Sequence, residues 1–133
     1  MRALDHTTWL EEGRQFLQIA RRSYQSRNKL TPEILYNVLG LAVEKCLMAA
    51  LDVHGRLPDN HTFTDLVEAT NQVVELDPGL CRDLIELEGY QEICCLETYQ
   101  RRPVDWDTIG VFLPLAEQVE HLAAAACSGA KTV

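Results

Sequence analysis

The sequence predicts an all-α protein: a bundle of helices in a single domain over residues 1–133 with its core at about 6–127. Three observations carry that reading. The stretch from Thr31 to Leu51 is apolar nearly all round, which places it in the middle of a bundle rather than on a surface. On both sides of it, apolar residues recur at helical spacing between clusters of Gly, Pro, Asp and Asn. No segment alternates apolar and polar residues as a half-buried strand does, and no internal repeat is present.

The first helix is expected from about His6 to Arg27, with Trp9, Phe16, Leu17, Ile19, Ala20 and Tyr24 on its apolar side. Gly13 weakens its early turns and predicts fraying there. Thr31 then supplies a capping oxygen, Pro32 fits the first helical position, and Glu33 suits the positive end of the helix dipole. Gly40 in this central helix predicts a close neighbour. His54 and Gly55 end it, and the breakers Pro58, Asp59 and Asn60 mark a loop longer than a simple bundle requires. Thr62 with Asp65 forms a capping pair for a third helix to about Glu75. Asp77-Pro78 starts a fourth, carried by Leu80, Leu84, Ile85, Leu87, Ile93, Cys94 and Leu96 to about Tyr99. Arg101-Arg102-Pro103 breaks the chain, and Asp105 or Asp107 caps the last helix. Pro114 inside that pattern predicts a kink or a separate turn, with the regular helix running from Pro114 to Ala126 and a loose tail from Ser128.

With 47% hydrophobic residues among 133, the chain can bury a real core. No uncharged apolar run reaches the about 18 residues of a membrane span, and no signal-peptide core follows Met1, so a cytoplasmic protein without membrane contact is expected. The five cysteines form no C-x-x-C pair, which fits reduced, packing thiols. The net charge of −8 argues against broad phosphate-backbone binding. That charge is uneven. Residues 1–29 hold six basic side chains (Arg2, Arg14, Arg21, Arg22, Arg27, Lys29) against three acidic ones, +3, and the remainder carries −11. The basic first helix is read as pairing with acidic helices or an acidic partner.

Three stretches resemble the HEPN family, a resemblance that implies an antiparallel four-helix bundle, here with an additional short helix or turn. Ala42-Val43-Glu44-Lys45-Cys46-Leu47 is similar to the family's AxEKxLK turn, without its second lysine. Leu57-Pro58 to Thr64-Asp65-Leu66 resembles the family's loop and THDL helix start, with Thr64 at the histidine position and His61 before it. Ribonuclease members carry a GFRNxxxHxY-like motif. On this chain Gly89-Tyr90 matches its start, but Gln91 stands at the Arg position, Glu92 at the Asn position and Leu96 at the His position. Neither a neutral-pH acid or base nor a phosphorane-stabilising cation is left there.

The resemblance therefore implies a HEPN scaffold without the ribonuclease function: a non-catalytic interaction or regulatory module, homodimeric through the motif helices. It further implies a nucleotide or a nucleotidyltransferase as partner, at a groove formed by Tyr36, Glu44, Lys45, Arg101 and Arg102. A structural reading of the same residues pairs Glu44 and Lys45 with neighbouring helices. The rival from another class is a metal-independent ribonuclease of toxin–antitoxin type using Arg101, Arg102 and His61. His54 and His61, with Asp52, Asp59 and Asp65, have ligand chemistry on one segment but no i, i+4 pair and no thiol partner, so neither a metal nor another cofactor is expected. Trp9 is read as a core anchor and Trp106 as a lid rather than as base-stacking platforms.

Overall fold

The computed structural model describes residues 6–27, 29–58, 62–91 and 104–131, with side chains omitted for 89–91 and 130–131. They form five helices: α1 (His6–Ser26), α2 (Pro32–Val53), α3 (Phe63–Val73), α4 (Pro78–Gln91) and α5 (Trp106–Lys131). No strand occurs among the described residues.

Each helix start follows local chemistry visible in the sequence. The Thr31 hydroxyl accepts from the Ile34 amide at 3.3 Å, with Pro32 in the first turn. The Thr62 hydroxyl accepts from the Asp65 amide at 3.1 Å and donates to its carboxylate at 2.9 Å, closing a capping pair. Asp77 accepts from the Leu80 amide at 3.0 Å. Of the two candidates for α5, Asp105 is the cap, accepting from the Thr108 amide at 2.9 Å and from its hydroxyl at 3.0 Å.

Helix α2 is the centre. Every residue from Cys46 to Leu51 is buried, along with Leu35, Tyr36, Leu39, Gly40, Ala42 and Val43. It is long and apolar enough to cross a membrane by length and composition, and its apolar stretch is mostly buried inside the bundle. Helix α1 runs antiparallel to it, Glu12 meeting Lys45 and Gly13 lying against Ala42 and Cys46. Gly13 is therefore a contact point rather than a frayed start: a Cβ there would sit 2.6 Å from the Cys46 sulfur and 3.2 Å from the Ala42 carbonyl oxygen. Helix α1 is also antiparallel to α5, with Arg21 on Glu117, Arg14 on Glu120 and Tyr24 beside Trp106. Helices α2 and α5 consequently run parallel.

The long connection after α2 has a topological purpose. Phe63, at the start of α3, packs 6.0 Å from Phe112, whose other side meets Tyr36 at 5.3 Å, near the start of α2. Val74, past the end of α3, shares a groove with Val53 at the end of α2. Helix α3 thus begins at the end of the bundle where α2 begins, and it runs parallel to α2. Helix α4 then turns back, Glu88 accepting from the Thr64 amide at 2.8 Å and from its hydroxyl at 2.6 Å. Helices α1, α2, α4 and α5 alternate in direction, and α3 is the additional short helix.

Three further expectations change. Helix α5 is continuous from Trp106 through Pro114, because the proline is exposed while Ile109, Phe112, Leu113, Leu115 and Ala116 around it are all buried; their packing outweighs one lost amide donor. The predicted loose tail is helical to Lys131. Ile19, placed in the apolar stripe of α1, is 47% exposed, and Ile85, placed in that of α4, is 38% exposed; the buried lines there are Leu10, Gly13, Leu17, Ala20 and Ser23 in α1 and Leu80, Leu84 and Leu87 among the described residues of α4. The predicted continuation of α4 from Ile93 to Tyr99 lies outside the described residues.

Candidate functional site

The polar residues singled out on α2 point to opposite sides. Tyr36 is 2% exposed; its hydroxyl donates to the Leu87 carbonyl of α4 and its ring stacks at a tilt on Phe112. Lys45 faces α1, its ammonium 3.3 Å from Glu12 and 4.8 Å above the Trp9 ring. At about 100° per residue the two side chains lie half a turn apart around the helix. Half-buried Glu44 completes the turn. The structure does not bring Tyr36 and Lys45 into one groove: one is core, the other pairs with α1, as the structural reading of Lys45 had it. Arg101, Arg102, Glu92, Leu96 and His61 lie outside the described residues, and Gln91 is the last residue of α4.

The basic first helix is partly spent on α5. Arg14 lies 2.7 Å from Glu120 and Arg21 3.0 Å from Glu117, as its pairing with acidic helices required. Exposed pairs of this kind contribute about 0.2–1 kcal/mol each. Arg27, in the left-handed backbone region at φ 55°, places its guanidinium 4.9 Å from the Tyr24 ring and 5.0 Å from the Trp106 ring. Trp106 thus covers the α1 terminus, and Trp9 packs partly buried under Lys45.

Titratable groups fit structural duty. Burial, and then the Glu120 carboxylate, push the Cys46 thiol up to about 12, which keeps it protonated and non-nucleophilic. The Cys81 thiol is raised by burial and by Asp77. The Thr108 amide and then its hydroxyl hold Asp105 below the usual carboxylate value. The His54 ring donates from Nδ1 to the Ala50 carbonyl at 2.9 Å, closing the end of α2. Among the described residues no three His, Cys, Asp or Glu side chains converge as a metal-binding group.

Among the described residues, two shallow clefts unannounced by any motif keep chemistry that the fold does not use. One, of about 390 Å³, lies between α4 and the start of α5, its carboxylates Asp83, Glu86 and Asp107 around Leu87, Val111 and Leu115. The other, of about 380 Å³, lies on the C-terminal half of α1 and is lined by Ile19, Arg22, Ser23, Ser26 and Lys29. The sequence signal for the first was faint: Asp83 and Glu86 share a face of α4, and Asp107 and Val111 share one of α5. A third groove, at the far end of the bundle, is mostly apolar, with His54 at its edge.

No protein-family model, curated protein or solved structure matches the chain.

Proposed function

We propose that this chain is a non-catalytic interaction module of the cytoplasm: a HEPN-like bundle that pairs with a second copy of itself and presents its surface to a nucleotide or a nucleotidyltransferase partner. The observation that carries the reading is the way the fold consumes its reactive side chains. Tyr36 donates to Leu87, Lys45 pairs with Glu12, Arg14 and Arg21 pair with α5, and the Cys46 thiol is buried. Several large apolar side chains also stay on the surface. Ile34 and Leu41 of α2 are 47% and 38% exposed beside Ile19 of α1, an arrangement that supports a protein contact. Gln91, Glu92 and Leu96 at the motif positions support the absence of cleavage chemistry.

RNA cleavage assays separate this reading from the ribonuclease one. Wild type, His61→Ala and Arg102→Ala are expected to leave RNA intact alike. Cleavage by the wild type that either substitution abolishes would replace the module with an enzyme. For the partner class, a melting-temperature screen with ATP, GTP and NAD is expected to give a rise with at least one nucleotide.

A further inference from the structure

The two clefts are opposite in charge and similar in size, and each exposes an aliphatic side chain. In the α1 cleft, Arg22 and Lys29 are exposed and have no ion-pair partner among the described residues, unlike Arg14 and Arg21, which α5 neutralises. Ile19 stands between them and the α2 surface. Because Glu12 meets Lys45 and Gly13 meets Ala42 and Cys46 across the antiparallel pair, Ile19 falls opposite Val38, next to the exposed Ile34 and Leu41. In the α4/α5 cleft, Val111 is 61% exposed within a ring of carboxylates, and among the described residues Asp83 pairs with the neighbouring, exposed Arg82 at 3.4 Å.

Both clefts lie toward the same end of the bundle. Arg27, at the end of α1, covers Trp106, the residue before Asp107. A chain with net charge −8 repels its copies as a whole, and a contact that sets these unpaired cations against carboxylates offsets that repulsion. We infer that the α1 cleft of one copy docks on the α4/α5 cleft of a second, Arg22 and Lys29 against Asp83, Glu86 and Asp107 with Ile19 against Val111, and that a two-fold axis makes the contact twice. This rests on the reading of the chain as a self-pairing module and specifies the surfaces that pair. Charge complementarity fixes the register, and the aliphatic pair supplies the dry centre.

Charge reversal tests it, with mass read by light scattering on the full chain. Arg22→Glu/Lys29→Glu and, separately, Asp83→Lys/Glu86→Lys each place like charges across the contact, which is expected to weaken pairing about 100-fold or more and give a monomer. All four positions are at the surface, and circular dichroism checks that each variant keeps its helices. Mixing the two variants restores opposite charges on both contacts, so a dimer containing one of each is expected. Two variants that stay dimeric would overturn the inference while leaving self-pairing intact. Two monomeric variants that fail to pair when mixed would overturn it as well. A wild type that is monomeric at every concentration would overturn both this contact and the self-pairing on which it rests.

Discussion

Helices α2 and α4 reach their places by different means. Helix α2 is surrounded by α1, α3 and α5, and buries Cys46 to Leu51 without a break. Among its described residues, helix α4 buries Leu80, Leu84 and Leu87, leaves Arg82, Ile85 and Glu86 exposed, and meets the rest through polar contacts that include Tyr36 to the Leu87 carbonyl and Thr64 to Glu88. A helix held by area resists local opening, whereas one held by a few anchors opens below the global unfolding free energy. The less supported helix carries the acidic cleft, and its last residue, Gln91, begins the altered motif positions.

The sharpest way to break that contrast is at the residue that joins the two regions. Phe112 meets Tyr36 and Phe63 at once, so Phe112→Ala is expected to cost about 4 kcal/mol in denaturant unfolding. Alkaline pH probes the α2 side. The Cys46 thiol is raised from 9.0 to about 12 in the folded chain, so its contribution is whole below about pH 9 and is lost as pH rises toward 12. Stability is expected to fall across that window in the wild type and to fall less in Cys46→Ala.

Tyr36→Phe removes the anchor to α4 and leaves the Leu87 carbonyl without that donor; about 1–2 kcal/mol is the expected loss. Hydrogen exchange should show it as faster opening in α4 than in α1, and equal acceleration in both would remove the distinction between the helices. The smallest effect belongs to Ile85, an exposed residue on α4. Ile85→Ala is expected to change stability by less than about 0.5 kcal/mol.

How far the sequence could be read follows the range of the interactions. Thr31, Thr62, Asp77 and Asp105 cap their own helices within three residues, so composition and spacing locate those starts. Helix α2 betrays its central position by lacking a polar face. The length of the connection after Val53 signals the return that lets α3 run parallel to α2. Long-range facts were harder. Pro114 stays helical because of the buried residues around it. Gly13 matters through Cys46, far along the chain. Tyr36 looked available for a ligand because nothing local reveals that α4 supplies Leu87 as its acceptor. The two charged clefts needed the fold itself: Arg22 became distinguishable from Arg21 only once α5 had taken one and left the other.

The most direct measurement of the central claim is the mass of the wild-type chain by light scattering, with and without nucleotides. The account predicts twice the 15.0 kDa of one chain, a value that falls as salt screens the opposed clefts. A mass of one chain at every concentration and salt would contradict it.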